Sequence, residues 1–312
     1  MMRAMARCIT LLLASSLACS TTPATDGGST GGSSGDGTTT GGSDDASTAT
    51  ATAPSATTAG DSTAAAEGTD ATPTTGGSSG TSEASSSGAT ATVPADVLVL
   101  TPWKLTLPIA RDEPDRPLEI LQPELAGYAI EPWFHLDQAG TAVVFRANAG
   151  GVTTNNSGYP RSELREMSDD GLDPASWSTS VGEHTMTITQ AITHLPEVKP
   201  HVVAGQIHDA EDDVVMIRLE GSHLFVEGGG EELGDLATDY ALGTDFTVQL
   251  RASEGVIEIY YEDLTTPTVT VERDVDGCYF KAGVYTQSNP DQGDAPDAHG
   301  EVVIRDLVVS HT

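Results

Sequence analysis

From Ser20 to Thr90 the chain has no lysine, arginine, leucine, isoleucine, valine or aromatic residue, and 60 of these 71 positions are Ser, Thr, Gly or Ala. Such a segment has no apolar surface whose burial could offset the entropy lost on folding, so it is expected to be a disordered linker. Aromatic residues are confined accordingly, with all 15 lying between Trp103 and Tyr285. Folding is therefore expected in residues 97–312, with 1–19 as a leader and 20–96 as the linker. A stretch of 216 residues suits one β-sandwich or barrel domain.

Basic residues are also scarce: 14 Lys and Arg stand against 46 Asp and Glu, a formal charge of −32. Nine of the acidic and two of the basic residues precede residue 97, which leaves 37 and 12 in the folded part, a net −25. That surplus argues against binding to nucleic acid or anionic lipid, and it makes any local cluster of Arg and Lys conspicuous. Cysteine is limited to Cys8, Cys19 and Cys278, so no disulfide framework can form within the domain. The apolar run Ile9–Ala14 is too short to span a bilayer, but behind Arg3 and Arg7 it has the layout of a secretory leader. It runs into Ser16-Leu17-Ala18-Cys19, which resembles a bacterial lipoprotein cleavage site with Cys19 as the lipidated residue. The alternative is an ordinary signal peptide cut near Ala18, with Cys19 incidental. A flexible tether directly after Cys19 favours the anchor. The protein is thus expected to be secreted or on the cell surface, touching membrane only through that lipid, and to act as a monomer.

Past residue 96 short segments alternate apolar and polar residues at period two, broken by Gly, Asp, Asn and Pro. Strands are expected near 103–107, 142–148, 161–167, 184–194, 202–208, 213–219, 223–227, 245–252, 256–262, 268–273, 279–287 and 301–310. No stretch carries a convincing helical period. A dozen strands without crossover helices imply an all-β fold of two packed antiparallel sheets, a sandwich or jelly roll.

Three of these segments have one apolar face and one face suited to chemistry. In Tyr279–Gln287, Phe280, Ala282 and Val284 share a face, while Tyr279, Lys281, Tyr285 and Gln287 share the other, with Gly283 leaving a gap. In Arg161–Met167, Arg161, Glu163 and Arg165 lie together, and a glutamate between two arginines can hold both guanidinium groups still. In Gln206-Ile207-His208, Ile207 faces the core and its neighbours face outward. Taken singly, each polar face also fits a solvated surface. If the three strands are neighbours, they line a groove that attracts a polyanion despite the acidic exterior, because local field outweighs net charge at contact distance. The acidic runs Asp209–Asp213 and Asp291–Asp297 lack a specific calcium-ligand pattern and read as solvated loops; no metal or other cofactor is called for.

Tyr159-Pro160-Arg161-Ser162-Glu163-Leu164-Arg165-Glu166-Met167, Gln206-Ile207-His208 and Tyr279-Phe280-Lys281-Ala282-Gly283-Val284-Tyr285-Thr286-Gln287 resemble, in order, the three signature blocks of the alginate lyases of polysaccharide lyase family 7. Trp103-Lys104-Leu105-Thr106-Leu107-Pro108 resembles that family's first strand, and Thr286 departs from a frequent Asn. The resemblance covers about residues 97–312. It implies a β-jelly roll with a concave substrate-binding sheet, and β-elimination on a 4-linked polyuronate, alginate, without a cofactor.

By the same resemblance Arg161 and Gln206, with His208 close by, neutralise the uronate carboxylate so that the C5 proton can leave. Tyr285 protonates the departing O4. For mannuronate Tyr285 also serves as base, and for guluronate His208 is the base. Arg165, Glu163, Lys281, Tyr279 and Gln287 bind or orient substrate. Ile207 leans toward guluronate-containing blocks, but neither block preference nor endo- versus exo-cleavage is fixed. A non-catalytic glycan-binding module and a lyase for another polyuronate, such as glucuronan, remain the alternatives.

Overall fold

A computed structural model describes residues 90–111, 116–155 and 157–312. The leader, the Cys19 site and the Ser/Thr/Gly/Ala-rich stretch to residue 89 lie outside the described residues. Fifteen strands follow one another: β1 Trp103–Ala110, β2 Pro117–Ile120, β3 Phe134–Leu136, β4 Val143–Asn148, β5 Arg161–Glu166, β6 Glu183–His194, β7 His201–His208, β8 Asp213–Glu220, β9 His223–Gly228, β10 Glu231–Ala237, β11 Phe246–Ser253, β12 Val256–Tyr261, β13 Val269–Glu272, β14 Tyr279–Thr286 and β15 His299–His311. They form two antiparallel sheets. One has the order β10-β9-β8-β7-β14-β5-β1-β2, and the other β13-β12-β11-β6-β15-β4-β3. The jelly-roll sandwich expected from the alternation is the fold.

Alternation explains the layering. In β6, Met186 and Ile188 are wholly buried while Thr185, Thr187 and Thr189 alternate with them on the outer face. From the first sheet Leu105, Leu164, Ile207, Ile217, Phe280, Ala282 and Val284 point inward. They meet Phe145, Met186, Ile188, Val248, Leu250, Ile257 and Ile304 of the second in one continuous core. Packing reaches back ahead of residue 97: Pro94 is buried in a short 3₁₀ turn whose entry is capped by the Asp96 carboxylate, accepting from the Thr92 and Val93 amides at 2.7 and 3.1 Å. Cys278, the one cysteine among the described residues, is buried and unpaired, and burial pushes its thiol up to about 12.

The acidic loops are less uniform than the sequence suggests. Asp294, expected in a solvated loop, is 3% exposed and braces the chain: its carboxylate accepts from the Val198 and Lys199 amides at 2.8 and 2.9 Å and from Ser288 Oγ at 2.5 Å. The hydrogen bonds hold its carboxyl below the ordinary range against the opposing effect of burial.

Candidate active site

Sheet order brings the three polar-faced segments together. Strands β7, β14, β5 and β1 are consecutive neighbours, so the motifs that are far apart in sequence share one face. The registers fix the rows. Lys281 pairs with Gln206 on one side and Arg165 on the other, and Arg165 pairs in turn with Lys104. Lys281, Arg165 and Lys104 therefore stand abreast on three adjacent strands. Like charges placed opposite one another cost stability, so this row needs counter-ions. In the next two rows on the same face, Gly283 pairs with Glu163 and Tyr285 with Arg161.

Glu119 pairs with Lys104 at 2.6 Å, and Glu163 serves Lys281 together with Arg161 of the last row. Only 2% exposed, the Glu163 carboxylate accepts from Arg161 Nη1 at 2.8 Å and pairs with Lys281 Nζ at 2.9 Å through Oε2, while Gln206 Nε2 donates to Oε1. Burial alone would raise the Glu163 carboxyl, but the charges of Lys281 and Arg161 outweigh it and hold it below its ordinary value. Lys281 is the mirror image: burial, with Arg161 and Arg165 nearby, brings its ammonium down to about 8 despite the Glu163 charge. Glu163 was expected among the substrate-binding residues. It lines the cleft and at this depth also aims three donors, Gln206 as deeply buried as itself and Lys281 and Arg161 slightly less so. Arg165 has no carboxylate within 4.0 Å among the described residues, and its guanidinium lies 3.9 Å over the Tyr279 ring.

Tyr285 sits at one end of this cluster and His208 at the other. The Arg161 guanidinium lies 3.9 Å from the centre of the Tyr285 ring, and the phenolic oxygen is 3.0 Å from Ser157 Oγ. Tyr159 meets Tyr285 edge to face at 6.3 Å, and its hydroxyl accepts from Lys199 Nζ at 2.8 Å. His208 Nδ1 lies 2.7 Å from the Asp209 carbonyl, which can only accept, so Nδ1 carries the proton and Nε2 keeps its lone pair. The Tyr279 hydroxyl is 3.1 Å from the same nitrogen, and the two rings stack at 5.3 Å. Burial, then the Lys281 charge, lowers the His208 pKa and favours the neutral ring a base requires.

The cleft encloses about 310 Å³. Of the residues expected from sequence, Arg161, Glu163, Arg165, Gln206, His208, Tyr279, Lys281 and Tyr285 line it, and Gln287, 7% exposed, does not. Ile207 is wholly buried, so it can influence the cleft only through its neighbours. Thr286, where the sequence departs from the expected Asn, points into the sandwich, donating to the Ala147 carbonyl at 2.8 Å and accepting from the Gly300 amide at 3.2 Å. The departure does not touch the cleft. Lys104, Thr154, Asn155 and Ser157 also line it, as does Asp213, whose carboxyl is raised to about 6 by burial and by Asp212. Lys104 was visible as a strand residue but not as a groove residue, because nothing in its own segment says which strand lies beside it. Thr154, Asn155 and Ser157 come from a loop without periodicity.

The arrangement matches known proteins along its whole length. Residues 98–311 match the family model described as alginate lyase. The alginate lyase AlgAT5 of polysaccharide lyase family 7 is 59% identical over 71% of this chain and 100% of that one, with a TM-score of 0.68. An alginate lyase from Corynebacterium sp. is 45% identical over 70% of this chain and 98% of its own, with a TM-score of 0.67. The family 7 alginate lyase A1-II′, in a substituted form solved in complex with a substrate, is 27% identical over 70% and 97% of the two chains, with a TM-score of 0.60. With its motif strands adjacent and its domain matched from end to end, this chain belongs to the alginate lyase family, as a polysaccharide lyase of family 7 acting on alginate.

Proposed function

We propose that the chain cleaves alginate by β-elimination, with Arg161 and Gln206 neutralising the uronate carboxylate, Tyr285 as general acid and His208 or Tyr285 as base. The observation that carries this reading is the single buried carboxylate of Glu163, which holds Arg161, Lys281 and Gln206 at a cleft that Tyr285 and His208 also line. The proton on C5 is only weakly acidic beside an anionic carboxylate. Donors fixed in advance around that carboxylate stabilise the charge that develops as the proton leaves. The base takes the C5 proton, the electron pair forms the C4–C5 double bond, the C4–O4 bond breaks, and O4 receives a proton from Tyr285. In guluronate the C5 hydrogen and O4 are on opposite faces, so two groups are needed. The bare Nε2 of a neutral His208 suits the second role.

The same reading extends to the leader: Cys19 as a lipid anchor and the following linker as a tether would hold the domain outside the cell, within reach of a polymer that cannot enter it.

Turnover is followed by the ultraviolet absorbance of the new double bond on separated mannuronate and guluronate blocks. Tyr285→Phe keeps the ring over which Arg161 stacks, yet turnover is expected to fall at least ~10²-fold on both blocks, the scale of general acid–base catalysis. His208→Ala is expected to impair guluronate cleavage more than mannuronate cleavage. A folded Tyr285→Phe protein retaining more than about a tenth of wild-type turnover is incompatible with the mechanism.

A further inference from the structure

The hydrogen bonds around Ser157 leave little freedom in where its proton and that of Tyr285 can go. Ser157 Oγ accepts from Arg161 Nη2 at 3.2 Å and from the Tyr159 amide at 3.2 Å. Both are obligate donors, and a serine hydroxyl has two lone pairs. Its acceptor capacity is therefore full. The Tyr285 oxygen is a third neighbour, at 3.0 Å, and the Tyr159 carbonyl a fourth, also at 3.0 Å. Tyr285 cannot donate to an oxygen whose lone pairs are both taken. The one proton on Ser157 is left to choose between the Tyr159 carbonyl and the Tyr285 oxygen.

We infer that Ser157 is a positioning residue for Tyr285, turning the phenolic proton into the cleft while Tyr285 is neutral and donating to the phenolic oxygen once that proton has left. The inference rests on the acid–base reading of Tyr285. With Ser157 closed to it as an acceptor, the Tyr285 proton is directed toward the substrate side, where O4 departs. When the proton is transferred, the phenolate is a stronger acceptor than a neutral carbonyl, so the Ser157 hydrogen swings to it. Arg161 strengthens that donation, since a hydroxyl that accepts from a guanidinium is polarised into a better donor. One arginine thereby acts on the Tyr285 side twice: through the ring it covers and through the serine it polarises. The local turn supports the geometry, because the Ser157 amide donates to the Thr154 carbonyl at 3.1 Å and fixes the backbone from which the hydroxyl reaches.

The test begins with Tyr285→Phe. If that variant keeps its turnover, the acid–base reading fails and this inference with it. Given the expected loss there, Ser157→Ala should lower kcat about tenfold with KM within about twofold, the scale of one charge-assisted hydrogen bond made mainly in the transition state. It should add almost nothing to Tyr285→Phe, because the two act as one unit. Ser157→Thr keeps the hydroxyl and should stay within about threefold of wild type, whereas Ser157→Val, the same shape without the hydroxyl, should fall as Ser157→Ala does. The Thr and Val pair decides the matter even if the alanine variant loosens the turn. Wild-type kcat in Ser157→Ala, equal losses in the Thr and Val variants, or a loss carried by KM alone would each overturn the role of Ser157 while leaving that of Tyr285 intact.

Discussion

Lys281 shows most directly how placement sets function at the level of a single residue. On sequence it is one more cation on a polar face. In the structure it is 7% exposed, and burial brings its ammonium from 10.5 to about 8. The row of cations facing an anionic polymer therefore loses one member as pH rises through about 8. Two consequences have opposite signs. The kcat/KM on alginate is expected to fall across that window, because one of the cations lining the cleft loses its charge. The unfolded chain keeps its Lys281 proton to ~10.4, so between the two values it binds more protons than the folded chain, and this residue's contribution to stability increases with pH. A pH–rate profile measured beside denaturation curves separates the two effects. Lys281→Arg, which retains its charge, is expected to move the activity limb to higher pH; an unmoved limb would assign it to another group. Alternation gave the face of Lys281, and of Glu163 beneath it, but not their depth. Period two says which side of a sheet a residue occupies, whereas burial depends on neighbouring strands and on the loop that covers them.

At the scale of elements, the strands that sequence pattern missed are β2, β3 and β10, and each lies at the edge of its sheet. Edge strands bury less, tolerate proline and charge, and so lose the apolar alternation by which central strands are recognised. Pro117 opens β2, β3 has three residues, and β10 carries Glu231, Glu232, Gly234 and Asp235. The site strands β5, β7 and β14 are central, and this is why their faces were legible. Gly283 in β14, a glycine inside a strand that signals close approach of a ligand or of backbone, marks the second of these. Its φ is +129°, and β14 carries one residue more than β7 between the Lys281–Gln206 and Tyr285–Val203 pairs. A Cβ there would lie 2.5 Å from the Ser162 carbonyl oxygen, 2.9 Å from Phe145 Cδ1 and 3.0 Å from Glu163 Cα. The close approach belongs to protein backbone and not to substrate, and it seats Glu163 beneath its donors. Gly283→Ala combines a disfavoured backbone conformation with overpacking, and is expected to cost roughly 2–5 kcal/mol in chemical denaturation. Turnover is expected to drop at the same time because Glu163 is pushed from its place. A variant as stable and as active as wild type would show that the strands separate without consequence.

For the whole molecule, a domain of net −25 acts on a polymer of the same sign. Two fields oppose each other over different distances. The repulsion is the sum of many exposed carboxylates and is felt far from the surface. The attraction comes from Arg161, Arg165, Lys281 and Lys104, whose donors line the cleft among the carboxylates of Glu119, Glu163, Glu211, Asp212 and Asp213, and it is felt only on contact. Salt separates the two, since the screening length is ~30 Å at 0.01 M ionic strength and ~8 Å at 0.15 M, while partly buried pairs are screened much less. Raising ionic strength over that range removes most of the long-range repulsion and little of the contact attraction. The kcat/KM on alginate is therefore expected to rise with salt at first, and to decline only toward ~1 M, where a screening length of ~3 Å reaches the contacts themselves. This is the reverse of the monotonic loss shown by proteins that bind polyanions with a basic exterior. Initial rates at substrate concentrations well below KM, with sodium chloride as the only variable, measure it directly. A steady fall from the lowest salt upward would mean that the cleft's cations dominate the approach of substrate as well as its binding, and that the acidic exterior exerts no force on the encounter.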